Sequence, residues 1–330
     1  MMTSDRFRRL AWFTLGYTVL VILWGGVVRA SGAGAGCGDH WPFCNGEVIP
    51  TNPALNTIVE FAHRVTSGLA LPLVLVLAWQ AFRVAPRGDR RGAAVRKAAV
   101  ASVAFMVLEA ALGAGLVLFE YVAYNPSFAR AVWMAAHLVN TLLLLGALTL
   151  VAWWASGGSV PARVAPARAV AVGAALVAVL VLAMGGAVTA LGDTLVIGGG
   201  LDPALDPVVA TLVGLRLFHP AMAFVALAVI AGSVWQARGS GQAVVSRGMA
   251  VLGLFVAQMG VGALNVALNV PVWMQIVHLF VTDVIWIALV IWAAEALAAR
   301  TVDARAAEPA GREASGSKAT RRESAAGVPA

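Results

Sequence analysis

Eight apolar runs, each long enough to cross a bilayer as a helix, leave this 330-residue chain few ways to fold. A helix rises about 1.5 Å per residue, so a hydrocarbon core of ~30 Å takes about 20 residues. Runs of that order stand at Leu10–Val28, Ile58–Phe82, Ala98–Phe119 and Ala131–Ala155, then at Ala169–Ala190, Leu212–Trp235, Met249–Ala267 and Val272–Leu297. They are continuous, rich in Ala, Leu and Val, and lack the alternation of a barrel strand. The expectation is an all-α polytopic membrane protein with eight transmembrane helices. The first run is long for a signal peptide and seven more follow, so it reads as a retained signal anchor. With 60% hydrophobic and 12% charged residues, the composition excludes an ordinary soluble domain.

The formal net charge of +7 is explained by its placement rather than by a nucleic-acid partner. Arg6, Arg8 and Arg9 precede the first run; Arg83, Arg87, Arg90, Arg91, Arg96 and Lys97 fill the second connection. Arg163 and Arg168 mark the fourth connection, Arg238 and Arg247 the sixth, and Arg305 to Arg322 lie in the tail. The odd-numbered connections are nearly free of Lys and Arg and carry Asp39, Glu47, Glu120, Asp193, Asp202 and Asp206. By the positive-inside rule both termini are cytoplasmic, the odd connections face outward, and the chain sits in the cell membrane with the lipid bilayer as its first partner.

The chain resembles itself in two halves. "GGVVR" at Gly25–Arg29 answers "GGAVT" at Gly185–Thr189, and "EFAH" at Glu60–His63 answers "RLFH" at Arg216–His219. "LGAGLVL" at Leu112–Leu118 answers "MGVGALN" at Met259–Asn265, and "VWMAAH" at Val132–His137 answers "VWMQIVH" at Val272–His278. Two tandem-repeated four-helix bundles are implied, over 1–155 and 169–298, with a cytoplasmic linker at 156–168 and a disordered cytoplasmic tail at 299–330.

Four of the five histidines, His63, His137, His219 and His278, fall one on each even-numbered run, a turn or two from its outer end; His40 lies in the first outer loop. One such histidine would be an interhelical hydrogen-bonding contact. Four at matched depth point instead to imidazole pairs gripping a flat macrocycle, His63 with His137 and His219 with His278. Zinc would need four converging nitrogen or sulfur ligands, or three and water. Gly113, Gly115, Gly260 and Gly262 would let a macrocycle approach the backbone, and serve equally for close helix packing.

Glu60 stands three residues before His63, where the second half has Arg216 before His219. A carboxylate beside a haem edge can relay protons or stabilise a developing cation, while a guanidinium can pair with a propionate. Arg29 and Arg64 are available for propionates too, and Asn140 and Asp283 are further polar groups near the pairs. The first outer loop, "SGAGAGCGDHWPFCNG", holds the only two cysteines, Cys37 and Cys44, on the oxidising side. A local disulfide is expected, with either a stiffening or a redox role.

The "WPFCNG" loop with its C-x6-C spacing, "EFAHR" at Glu60–Arg64, the eight-helix duplication and the four histidines together resemble the haem A synthase family over roughly Leu10 to Leu297. The resemblance implies a membrane oxidoreductase that converts the C8 methyl of haem O to a formyl group by successive hydroxylations, giving haem A for terminal oxidases. It implies that His63 and His137 hold the substrate haem, that Glu60 is the catalytic carboxylate, that His219 and His278 are axial ligands of a haem b, and that Cys37 and Cys44 are the loop pair. Two histidines on the substrate iron leave no position open, so one detaches or the oxidation takes another route. Some relatives carry a second cysteine pair in the outer loop of the second half; "GDTLVIGGGLDPALDP" has none. The competing reading is a membrane dihaem cytochrome b that only passes electrons from quinol. An electron donor such as quinol, the haem O-producing enzyme and a homo-oligomer are partners the sequence leaves open.

Overall fold

The computed structural model describes residues 4–161 and 164–299; the expected tail beyond Ala299 and Arg163 of the linker lie outside them. Among the described residues the chain is helical, with no strand beyond an isolated bridge between Cys44 and Glu47. The helices are α1 (Ser4–Ala30), α2 (Leu55–Val84), α3 (Arg90–Leu118), α4 (Phe128–Ala155), α5 (Pro166–Asp193), α6 (Pro207–Gly214), α7 (Phe218–Gln236), α8 (Gln242–Ala267) and α9 (Val272–Ala298). They make eight candidate membrane spans, α6 and α7 together forming the sixth. In a bilayer a helix satisfies its own backbone, which is why continuous apolar runs settle into this form. The chain is a multi-pass membrane protein.

Polar residues end the helices. Asp89 accepts the Gly92 N–H before α3, Ser127 the Arg130 N–H before α4, and Asp206 the N–H groups of Val208 and Val209 before α6, whose first residue is Pro207. At the start of α5, Arg168 donates to the carbonyls of Ala296 at 3.2 Å and Ala299 at 2.7 Å, tying α5 to the last turn of α9.

The structure departs from the expected spans at two places. The fifth runs on past Ala190, through a π turn at Thr194–Gly198, because Leu195 is another core residue there. The sixth is broken by a 3-10 turn at Leu215–Leu217 just before His219. Pro220 explains the break: it has no N–H for the Arg216 carbonyl, and its ring crowds that carbonyl.

Helix α1 packs on α2 and α4, and α3 on α2 and α4, closing a ring; α5, α7, α8 and α9 close another in the same order. The rings meet where α4 packs on α5 and α9, and α1 on α9. That seam is the best buried part of the molecule: Leu142, Leu145 and Leu148 of α4 meet Leu289 and Trp286 of α9, and the Trp286 indole donates to the Leu142 carbonyl at 2.6 Å. Gly146 leaves room for that indole. Large apolar side chains such as Phe13, Leu20, Leu69, Trp79, Val132 and Phe224 point outward, as a bilayer-facing surface requires.

Candidate functional site

Each of the four helix histidines lies against a glycine of a neighbouring helix. A methyl group on Gly25 of α1 would stand 3.0 Å from Cε1 of His63, and one on Gly186 of α5 would stand 3.0 Å from Cε1 of His219. The corresponding distances are 3.2 Å from Gly262 of α8 to His278 and 3.8 Å from Gly113 of α3 to His137. Gly25, Gly186 and Gly262 admit an imidazole where a side chain would crowd it, whereas a methyl on Gly113 would meet His137 in ordinary contact. Two of the four small residues singled out in the sequence, Gly113 and Gly262, therefore face histidines. Gly115 is filled by the ring of Trp133, a packing role, and Gly260 has open space around it.

In the second half the rings of His219 and His278 stand 6.4 Å apart between centroids, with their planes at 67°. Two imidazoles on one metal ion need about 2 Å for each metal–nitrogen bond and about 1.1 Å from each nitrogen to its ring centre, roughly 6.2 Å in all. Nδ1 of His219 lies 3.2 Å from the Leu182 carbonyl, which selects the Nδ1–H tautomer and leaves Nε2 a free lone pair. Behind His278, Gln258 of α8 donates to the His278 carbonyl at 2.7 Å and to the Thr282 hydroxyl at 2.8 Å.

In the first half His63 and His137 lie close enough to act on each other electrostatically. Behind His137 stands a carboxylate that the sequence reading passed over, Glu109 of α3. Its Oε1 is 3.5 Å from His137 Nδ1, which has no hydrogen-bond partner of its own. Glu109 also accepts from Asn140 Nδ2 at 2.6 Å and from the Thr141 hydroxyl. Asn140 thus gains a definite role, as a donor to Glu109 and to the Phe105 carbonyl. The signal for Glu109 was in the sequence: a lone carboxylate deep in the run Ala98–Phe119 is costly in lipid and marks a functional position by default.

Glu60 is 3% exposed and faces the disulfide loop. Cys37 and Cys44 are bonded, at 2.00 Å. The Cys37 N–H donates to Glu60 Oε2 at 2.8 Å, and Arg64, one turn on, donates to Oε1 from Nε at 3.0 Å and Nη2 at 2.5 Å. The remaining Arg64 nitrogen binds the carbonyls of His40 and Phe43 at 2.6 and 2.7 Å. Thr57 donates to the Gly36 carbonyl at 2.8 Å, and Gly36 lies so close to the Asn56 carbonyl that no Cβ fits there. Glu60 and Arg64 thus lock the loop onto α2 within a turn of His63, and every donor nitrogen of Arg64 is occupied.

The other arginines at the disulfide end cluster at the seam. Arg216 pairs with Asp193 at 2.7 Å. Arg29, at the end of α1, reaches across to the second half, donating to the Ala190 carbonyl and the Thr194 hydroxyl, both at 3.2 Å, and to Gln275 at 2.8 Å. Arg130, which the sequence reading also passed over, lies at the start of α4 beside Arg29. Asp283 of α9 is fully buried, with neither carboxylate oxygen hydrogen-bonded.

Among the described residues no three His, Cys, Asp or Glu side chains converge as a zinc site requires. Pairs of imidazoles on facing helices, backed by a carbonyl or a carboxylate, fit a macrocyclic iron instead.

The family model described as "Cytochrome oxidase assembly protein" matches residues 8–290. A protein of Thermus thermophilus named "Protoheme IX farnesyltransferase" is 46% identical over 303 residues, covering 89% of this chain and 49% of that one. Proteins named "Heme A synthase" are 45% identical over 101 residues in Alkalihalophilus pseudofirmus, covering 31% of this chain and 33% of the relative, and 39% identical over 118 residues in an Exiguobacterium species, covering 34% and 37%. The chain spans about half the length of the Thermus relative and about a third of the others.

Proposed function

The chain belongs to the cytochrome oxidase assembly protein family, to which the haem A synthases belong, and from that premise we propose that it is itself a haem A synthase. Its substrate is haem O and its product haem A, formed by successive hydroxylations that turn the C8 methyl into a formyl group. The observation that carries the reading is the second-half histidine pair, whose 6.4 Å separation suits two ligands of one iron, together with a second histidine pair backed by a carboxylate.

The roles divide between the halves. His219 and His278 hold a haem b that exchanges electrons with a carrier such as quinol, while His63 and His137 hold the substrate haem. Iron porphyrin supplies the oxidising chemistry when bound. The recurrence of a histidine against a glycine in all four places, and of a threonine four residues after His137 and His278, supports two tandem repeats over 1–155 and 169–298. Glu60 acts as a fixed anion: three donors converge on its carboxylate, so it stabilises positive charge developing at the methyl carbon better than it gives a proton. The Cys37–Cys44 loop is the cover that Glu60 and Arg64 hold over this site. It lies on the outer face of the cell membrane, with both termini cytoplasmic.

The Thermus relative is named for farnesylating protohaem and is about twice as long as its match to this chain. That supports a farnesylated haem as substrate and a haem O-producing enzyme as partner. The test is to offer haem O to the purified protein under air and identify the extracted haems by mass. Haem A or its hydroxylated precursor is the expected product. Haem b alone, with haem O untouched, would make this an electron-transferring dihaem cytochrome.

A further inference from the structure

Of the guanidiniums at the disulfide end, Arg130 stands apart. It is 2% exposed, its Nε, like that of Arg216, has no partner among the described residues, and its Nη1 donates to the Asn125 carbonyl at 3.1 Å. Among the described residues no carboxylate lies within ion-pair distance of it. Its charged neighbour is another cation, Arg29. Asp193, the carboxylate at the seam, is paired with Arg216 and attracts Arg29. Among the described residues Arg130 therefore has no carboxylate of its own. Burying like charges side by side is costly, and a site that does so is completed by an anion.

Arg130 and His137 are seven residues apart on α4, which places them on one face, within about 20° around the axis, with Arg130 roughly 10 Å nearer the disulfide end. We propose that Arg130, with Arg29 beside it, is the anion seat of the first-half site and takes a carboxylate of the porphyrin whose iron His137 holds. The inference rests on the haem reading of His137 given above and adds to it the residue that fixes which edge of the macrocycle faces the disulfide end. The chemistry suits the residue type: a planar guanidinium binds a carboxylate by two parallel N–H bonds, and Nε is one of the forked donors. Arg64 already spends four of its five N–H donors on Glu60 and the loop carbonyls, so it has no forked pair left for the task. An anionic lipid headgroup offers related chemistry from another source, and the test separates the two.

The full-length protein, prepared from haem-depleted cells, is titrated with iron protoporphyrin and with its dimethyl ester, and the absorbance change that His137→Ala removes is followed. The ester is expected to bind roughly tenfold to a hundredfold more weakly than the free acid, the worth of one or two charge-assisted hydrogen bonds. In Arg130→Gln that difference should collapse, because the free acid weakens and the ester does not; Arg130→Lys should restore part of it and guards against misfolding of the neutral variant. An ester that binds the parent as tightly as the acid would overturn the proposal and leave lipid as the occupant. So would a difference that survives in both variants, since the carboxylate would then be held elsewhere. Failure of the underlying haem reading shows separately, as a spectrum that His137→Ala leaves unchanged.

Discussion

Replacing Glu109 by Gln alters one charge and almost no shape, and its cost can be worked from the contacts. In the parent the carboxylate accepts from Asn140 at 2.6 Å and from Thr141, and faces the otherwise unpartnered Nδ1 of His137 at 3.5 Å. A hydrogen bond to a charged acceptor contributes about 1.5–3 kcal/mol and a neutral one about 0.5–1.5 kcal/mol, so neutralising the acceptor costs about 1–1.5 kcal/mol per bond. The 3.5 Å approach to His137 is a charge contact rather than a formed hydrogen bond, so the imidazole that loses it should hold iron about fivefold to tenfold less tightly, at or below the low end of the roughly tenfold to hundredfold that outer-shell partners of metal-bound histidines are worth. The side chain is only 18% exposed, so solvent screens little of this. The assay is absorbance titration of the depleted protein with haem, reading the fraction lost in His137→Ala. Glu109→Gln should weaken that fraction and leave the fraction lost in His278→Ala untouched. A titration within twofold of the parent, with an unaltered spectrum, would refute the view that Glu109 positions His137.

Three other outcomes follow from the same contacts. Gly186→Ala places a methyl 3.0 Å from the His219 ring and should lower haem b content measured by haemochrome spectra, whereas Gly16→Ala, with nothing within 4 Å, should not. Cys44→Ser opens a short loop whose closure is worth about 2.5 kcal/mol on the chain-entropy account, so its melting temperature should fall; if the pair only stiffens the loop, turnover per folded molecule persists, and if it shuttles reducing equivalents, turnover stops. Glu60→Gln keeps the fold of α2 but loses the anion, and should lower haem A formation and shift the product balance toward the hydroxylated precursor; unchanged products would sink the proposed role for Glu60.

Most of the fold was legible because lipid imposes a single solution on a long apolar run. All eight spans lie where the runs of Ala, Leu and Val place them. What pattern alone missed was set by single residues. Pro220 broke a span that hydropathy reads as continuous, and Leu195 extended another into an expected loop. At the site, the histidines and the cysteine pair stood out by type and position. Neither Glu109 nor Arg130 stands beside a histidine in sequence: Glu109 reaches His137 from α3, and Arg130 lies two turns before it on α4. Both were detectable as a charge in an apolar run and as an arginine on the side that otherwise avoids them. Of the partners of Glu60, Arg64 lies one turn along the same helix, but the Cys37 N–H was not legible, because it comes from a loop whose path depends on the disulfide and on Gly36 packing against Asn56.

The central claim is that each half holds its own haem, and that the first holds the one that is changed. The most direct measurement is the mass-identified haem content of protein made with a haem O source, compared between His137→Ala and His278→Ala. The account expects His137→Ala to lack haem O and haem A yet retain haem b, and His278→Ala to lose haem b while still carrying haem O. Loss of the same haem from both variants would contradict it.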